Sequence, residues 1–401
     1  MRAPLIGHVD ADCFYCSAER VRHPALNRVP VGVLGNQGAC VIARSYEMKA
    51  AQVKVGMPIW NAVKLCPEGV YVKRDFEWYE VLSRIMLQEV QKISDRVEHY
   101  SIDEMFFEVP AQENPSTLAR YLQQQVLQEW NLPVSVGISK SKTLAKLCSK
   151  ANKPNGCRVA VTEEEIAQLL NSCSVTKITG IARRSAIKLA KHNITTCQEL
   201  IAADRRLIRK LLTIKGEGLW WELRGYPTIP LLTKRPFHKF VSRGGSIGKK
   251  TNNRVRLEAW VARHVERLVE ALRWHHYFTE ELALSLVHTK GRSERSVRLD
   301  QQTNASEELY PAVRYLFQHV WSPDVTVVQM HLIAGKLTTD QDRQLSLFPP
   351  PPPRMDVIKE QVNVKCGRFA VRVGATLPLK ELYQDEANSY DICDVYGKSC
   401  F

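Results

Sequence analysis

The chain has 401 residues, of which 44% are hydrophobic and 24% charged, with a formal net charge of +14. That length supports two to four domains with separate cores, and the composition is that of a globular protein. No apolar run approaches the ~18 residues needed to span a bilayer, and "MRAPLIGHVDADCF" is too polar for a secretory signal, so the expectation is a cytoplasmic protein with no membrane partner.

In chain order, Leu5–Val9 reads as a short strand running into a helix from about Phe14. "VPVGVLG" and "GACVIARS" follow as two strands around a Gly-containing turn, then a helix from Tyr46 to about Val53. Trp78–Ile93 has the spacing of an amphipathic helix, Val97–Val109 supplies strand residues, Pro115–Trp130 is a helix and "LPVSVGIS" a strand. This order predicts helices packed on one mixed sheet, with a small inserted region at roughly 25–76. From about Glu163 the pattern turns to short helices with Gly turns. A helix at Leu257–Trp274 then stands between strand-like "FVSRGGSIG" and "LALSLVHTK", and "QDRQLSLF" leads into "PPPPP", a stiff polyproline-II spacer. The last fifty residues are mixed in polarity and give no clear element.

The positive charge is clustered. Between Lys234 and Arg298 stand 15 Lys/Arg against 6 acids, so this segment alone carries +9, which favours nucleic acid over a generally basic surface. The 11 cysteines are odd in number and scattered, the pattern of reduced thiols. Cys13 and Cys16 form a C-x-x-C with no second pair at zinc-finger distance, and packing is the simpler reading.

Two acids, Asp103 and Glu104, interrupt the apolar run "VEHYSIDEMFFEV". A buried, unpaired carboxylate costs several kcal/mol, so such acids are excluded, protonated, paired or metal-bound. On a regular strand the two would face opposite ways, and both can serve one site only at a hairpin bend or bulge. A hairpin turn with solvated acids accounts for an isolated Asp-Glu pair. Here a third acid, Asp10, is placed at the end of the N-terminal strand, where a side chain can project from the sheet edge. Three carboxylates holding two Mg²⁺ are what nucleotidyl transfer needs: one ion activates a hydroxyl and the other stabilises the leaving pyrophosphate.

"HVDADCFYCSAE", "YSIDE" and "GISKSKTLAKLCSKANKPNG" together resemble the Y-family translesion DNA polymerases, over Gly7 to about Phe348. The resemblance implies an α+β right-hand fold: a palm of mixed sheet and helices at 1–24 and 77–165, and small fingers at 25–76. It further implies a helical thumb at 166–232, an α/β little finger at 233–340, and a tail at 341–401 carrying a clamp peptide and Pro-rich spacer. It implies error-prone, template-directed DNA synthesis without proofreading, on primer-template DNA with a dNTP, by a monomer using two Mg²⁺. Asp10, Asp103 and Glu104 are then the catalytic metal ligands, with the backbone carbonyl of Ala11 completing the nucleotide-side ion; Asp12 is not a ligand in the family pattern.

Tyr15 falls at the steric gate against ribonucleotides, with Phe14 beside it. Tyr46, Lys49 and Lys153 match triphosphate contacts, although relatives often carry Arg where Lys49 stands, so a point charge replaces a bidentate fork. "ITGIARRSAIKLAKHNI" resembles a helix-hairpin-helix, with Gly180 letting backbone N–H groups approach a DNA phosphate and Lys177, Arg183 and Arg184 adding charge. "KFVSRGGSIGKK" resembles the first little-finger strand, which would track DNA through Arg243, Lys249 and Lys250.

"QLSLF" matches a bacterial sliding-clamp peptide, with Gln344 as polar anchor and Leu345, Leu347 and Phe348 for an apolar pocket. The tail ending "NSYDICDVYGKSCF" is closer to the catalytic subunit of polymerase V than to polymerase IV, which implies accessory proteins and a recombinase filament. Two other classes compete. A catalytically inactive relative that binds DNA and clamp would have lost the acids, and a palm-type nucleotide cyclase has no need of the helix-hairpin-helix, the +9 segment or the clamp peptide.

Overall fold

In a computed structural model that describes residues 4–35, 40–234, 237–343 and 354–384, the chain is an α+β protein of two compact units meeting in sequence near residue 235. The first unit begins with strand β1 (Ile6–Ala11), buried along its whole length, and helix α1 (Phe14–Arg22). A small sheet follows from β2 (Val31–Leu34), β3 (Val41–Arg44) and β4 (Val70–Lys73), in the order β3-β2-β4. Helices α2 (Tyr46–Ala50) and α3 (Ile59–Leu65) lie between its strands. Helix α2 ends before the expected Val53 because Gln52 adopts a positive φ of 64°.

Next come α4 (Phe76–Gln91), β5 (Val97–Ser101), β6 (Glu104–Glu108), α5 (Pro115–Trp130), β7 (Val134–Ser139), α6 (Lys142–Ala151) and β8 (Cys157–Ala160). Helix α4 starts two residues before the expected Trp78 because the Asp75 side chain caps it, accepting from the Trp78 N–H. The main sheet runs β5-β6-β1-β7-β8, so β1 is central and antiparallel to both neighbours, while β7 and β8 are parallel. Helix α6 lies across β1, β7 and β8. It approaches so closely that a Cβ at Gly137 would collide with the Ala145 carbonyl and the Ser149 amide. The unit closes with α7 (Glu163–Asn171), α8 (Arg183–Ala190), α9 (Cys197–Ala202) and α10 (Arg205–Leu223), the last broken at Thr213. Their core includes Leu144, Leu147 and Cys148 of α6, and buried Glu222 of α10 accepts from the Thr143, Thr228 and Ile229 amides. Helix α6 is thereby fixed from behind.

The second unit is a four-stranded antiparallel sheet in the order β11-β10-β12-β9: β9 (Phe240–Thr251), β10 (Tyr277–His288), β11 (Gly291–Thr303) and β12 (Val327–Thr339). Helices α11 (Arg254–Trp274) and α12 (Ser306–Val320) pack against it around Leu268, Leu284, Phe317 and Leu332. The tail supplies structure that its mixed polarity hid. Helix α13 (Arg354–Cys366) and a 3-10 segment, Gly374–Tyr383, pack on α11, with Leu379 and Leu382 joining the core. Asp356 accepts from the Ser306 amide at 2.8 Å at the start of α12, and Arg256–Glu381, Arg273–Glu360, Lys359–Glu266 and Arg368–Glu270 form ion pairs. The clamp peptide Gln344–Phe348, the prolines at 349–353 and the last 17 residues, 385–401, lie outside the described residues.

Candidate active site

Pairing of β1 with β6 brings Asp10 and Glu104 together and sets Asp103 in the adjoining turn, outside the cluster of possible ligand atoms that the other two form. Asp10 lies directly opposite Glu104, and the Ala11 N–H donates to the Asp103 carbonyl at 2.9 Å. Strands β5 and β6 meet through the two-residue turn Ile102–Asp103, with a register irregularity between His99 and Ser101. Strand alternation stops there, so adjacent acids can face one site. Ser101 Oγ donates to Asp103 Oδ1 at 2.6 Å. One expectation is corrected: Asp10 does not close a strand at a sheet edge. Strand β1 continues through Ala11 between β6 and β7, and those two neighbours leave Asp10 only 5% exposed.

Carboxylates facing one another across a strand pair repel. Lysines offset this. Lys146 Nζ is 2.6 Å from Glu104 Oε2, and Lys153 pairs with Asp10 and stands 3.3 Å from Asp12 Oδ1. Burial pushes the Asp10 carboxyl up to about 7, against the pull of Lys153. Burial also raises Asp103, against the Ser101 hydrogen bond. At Glu104 the burial effect is outweighed by Lys146, and the pKa falls below the usual carboxylate value. Carboxylate oxygens are donors that suit a hard divalent cation, which would take the place of the ammonium groups now paired with them.

His8 stands two residues before Asp10 on the same face of β1, and one ring nitrogen, with one oxygen each of Asp10 and Glu104, lies within a 4.8 Å cluster. Its Nδ1 is 2.7 Å from Ser149 Oγ, whose own proton goes to the Lys146 carbonyl at 3.0 Å, which assigns the Nδ1–H tautomer. Burial, helped by the nearby lysines, holds the His8 pKa well below its ordinary value, so the ring is neutral.

Of the residues expected to meet substrate, Lys153 pairs with Asp10 and Tyr46 approaches Asp12. Tyr15 is half-buried and stacks on Tyr79 with ring centroids 4.6 Å apart, and Tyr79 is fixed by donating to Glu19 at 2.7 Å. Phe14, beside Tyr15, is 4% exposed with its ring edge-on to Tyr79, so it is an ordinary core aromatic of α1 and not a substrate contact. The Tyr46 hydroxyl lies 3.5 Å from Asp12 Oδ1, and exposed Lys49 stands 5.9 Å from the centre of the Tyr46 ring.

Of the expected DNA contacts, Lys177, Gly180, Arg183 and Arg184 are exposed around the N-terminus of α8, with Gly180 at φ 100°. Lys249 and Lys250 are exposed at the end of β9. Arg243 is corrected, since it pairs in register with buried Leu332 and is itself only 6% exposed, on the core side of the sheet.

Sequence reasoning missed His8, Lys146 and the role of Asp12. The spacing Lys142, Lys146, Lys150 marks one face of α6 and carried the signal for the second. The two-residue step from His8 to Asp10 carried it for the first.

Comparison with known proteins gives the family and the fold. The impB/mucB/samB family matches residues 9–150, and the impB/mucB/samB family C-terminal domain matches residues 238–347, together well over half of the chain. DNA polymerase IV 1 of Bacillus subtilis (strain 168) is 27% identical over 414 aligned positions, covering 97% of this chain and 99% of that protein. DNA polymerase IV of Oceanobacillus iheyensis is 33% identical over 248 positions, covering 60% of this chain and 59% of its own. Among solved structures, a Y-family DNA polymerase chimera of Dbh and Dpo4 superposes with a TM-score of 0.72 at 21% identity, covering 84% of this chain and 100% of its own. An insertion ternary complex of Dbh DNA polymerase gives 0.55 at 20% identity, over the same shares of both chains.

Proposed function

The chain belongs to the impB/mucB/samB family of Y-family translesion DNA polymerases and is a DNA-directed DNA polymerase, and on that premise we propose that Asp10, Asp103 and Glu104 form its two-metal nucleotidyl-transfer site. One observation carries this reading: Asp10 and Glu104 face each other across the β1–β6 pair, each with a lysine held against it, and Asp103 stands in the adjoining turn. Two Mg²⁺ bound there, with the Ala11 carbonyl as a further ligand, would lower the pKa of a primer 3′-hydroxyl and stabilise charge on the leaving pyrophosphate.

The chain's own groups orient the reactants. Lys153 and Tyr46, with Lys49 beside them, face the triphosphate of the incoming dNTP, and Tyr15 lies against its sugar. The five-stranded sheet serves as palm, the β3-β2-β4 region as fingers, helices α7–α10 as thumb and the second sheet as little finger. Gly180, Lys177, Arg183, Arg184, Lys249 and Lys250 hold primer-template DNA through its phosphates, without reading sequence. Error-prone synthesis without proofreading is part of this proposal, because the sequence carries no exonuclease motif cluster outside the polymerase set. Purified protein given a primer-template, dNTPs and Mg²⁺ should extend the primer in template order without degrading a mismatched end. DNA binding with no extension would instead make it an inactive accessory protein.

The peptide Gln344–Phe348 is proposed to bind the bacterial sliding clamp, burying Leu345, Leu347 and Phe348 and holding on by Gln344. A polymerase that grips phosphates dissociates readily as salt rises, and tethering to a ring on the DNA raises its local concentration at the primer end. Each apolar side chain contributes roughly 1.5–3 kcal/mol when fully buried, before ordering costs. Replacing Leu347 and Phe348 by Ala should leave single-nucleotide insertion intact and remove stimulation by the clamp. Full stimulation of the double mutant would exclude this peptide as the tether.

A further inference from the structure

Asp12 is the most heavily hydrogen-bonded acid near the site, yet it stands outside the cluster His8, Asp10 and Glu104 that could hold a cation among the described residues. It is 1% exposed. Ser135 Oγ lies 3.1 and 3.0 Å from its two carboxylate oxygens, and the Asn155 amide donates to Oδ2 at 2.5 Å. Lys153 Nζ is 3.3 Å and the Tyr46 hydroxyl 3.5 Å from Oδ1. The backbone is fixed as well: the Asp12 amide donates to the Pro133 carbonyl at 2.9 Å, and the Asp12 carbonyl accepts from Ser17 Oγ at 2.5 Å. One carboxylate therefore joins the turn after β1, strand β7, helix α2 and the loop between α6 and β8.

We propose that Asp12 is the positioning residue of the nucleotide subsite, gathering Tyr46, Lys153 and the Asn155 backbone into one preassembled receptor for a nucleoside triphosphate. The inference rests on the reading of Tyr46 and Lys153 as triphosphate contacts. Lys153 divides its charge between Asp10 and Asp12. When Asp10 is engaged by a cation, Asp12 is the carboxylate that keeps the ammonium group at the site. The long contact to Tyr46 is weak, so its hydroxyl is released to a phosphate oxygen at little cost. Holding both donors in place before the nucleotide arrives reduces the ordering cost of binding, so Asp12 acts on substrate affinity through Lys153 and Tyr46.

Single-nucleotide insertion by Asp12→Asn, Lys153→Ala and their double mutant tests this, with primer-template affinity measured alongside. Asp12→Asn keeps the shape and one acceptor but removes the charge. It should raise the KM for dNTP by about tenfold or more, change kcat by less than about threefold and leave DNA affinity as in wild type. The losses should be less than additive, the double mutant exceeding Lys153→Ala only by the part of the Asp12 effect that runs through Tyr46. An unchanged KM in Asp12→Asn, or strictly additive losses that follow the melting temperature, would overturn the proposal. Should Asp12→Asn fail to fold, Ser135→Ala loosens the carboxylate without touching either donor, and an unchanged KM there is equally fatal. If Lys153→Ala itself leaves KM unchanged, the triphosphate assignment of Lys153 falls and takes the proposal with it. A raised KM in Lys153→Ala beside a silent Asp12→Asn removes only the role of Asp12.

Discussion

Asp103→Ala and Glu104→Ala should each lower the rate of nucleotide insertion by on the order of 10³-fold or more, while DNA affinity stays near wild type. Two-metal stabilisation of transition-state charge amounts to several kcal/mol, and each 1.4 kcal/mol is tenfold in rate. The two mutants should part company in stability. Asp103 has a raised pKa in the folded protein, so between its unfolded and folded values the native state holds the extra proton. Stability falls as pH rises through that window, and the deficit is complete above it. Asp103→Ala removes the deficit and should melt no lower than wild type at pH 8 without metal. Glu104→Ala instead strands Lys146, whose side chain is 9% exposed and pairs with Glu104 at 2.6 Å. Breaking such a pair costs about 3 kcal/mol, so this mutant should melt lower. Binding of Mn²⁺, followed by its electron paramagnetic resonance, supplies a readout apart from activity. With Asp10 titrating near 7 and paired with Lys153, affinity should rise with pH through 7, because the cation must displace a proton as well as the lysine. Near wild-type insertion by either mutant, or Mn²⁺ affinity that is flat with pH, would remove the acids from the role assigned here.

How much of this was legible in the sequence depends on how local each signal was. The acids sit in short motifs, and strand alternation already required a bend if adjacent Asp103 and Glu104 were to serve one site. Lys146 was readable in principle from its four-residue spacing to Lys142 and Lys150. Asp12 was not, because Tyr46, Ser135 and Asn155 reach it only through the pairing of β1 with β7 and the return of two loops. Arg243 misled for a related reason. Alternation in "FVSRGGSIG" shows that Val241 and Arg243 share a face, but only the register with Leu332 shows that the face is the core.

Composition overstated how much of the charge in the +9 segment lies free at the surface. Arg256 and Arg273 of α11 pair with Glu381 and Glu360 of the tail, and the Arg263 guanidinium lies 4.6 Å from the centre of the Tyr383 ring. Part of that charge is therefore spent on internal packing, and part on surface pairs such as Arg292–Glu294 and Arg298–Glu280, while Lys249 and Lys250 stand exposed at the end of β9. A tail of mixed polarity is what a helix needs when its binding surface is the charged outer side of another helix.

Tyr15→Ala should raise ribonucleotide insertion relative to deoxynucleotide insertion by on the order of 10²-fold. Discrimination by a gate is a difference between two binding energies, and it is achieved by a clash with the wrong partner. The clash is effective only if the ring cannot swing aside. Here Tyr15 is stacked on Tyr79 at an interplanar angle of 18°, with Phe76 at 5.8 Å, and Tyr79 is fully buried and anchored to Glu19. Forcing a hydroxyl into such a packed aromatic cluster costs about 3 kcal/mol, which corresponds to about two decades in the ratio of kcat/KM. Removing the ring should relax selection against the 2′-hydroxyl while leaving deoxynucleotide insertion within about tenfold of wild type, because the acids, Tyr46 and Lys153 are untouched. Tyr79→Ala, which keeps the gate but removes its backing, should relax selectivity part of the way. Competition between a ribonucleotide and its deoxy counterpart at one template base measures both effects. A ribo-to-deoxy ratio unchanged in Tyr15→Ala would place sugar selection elsewhere in the site.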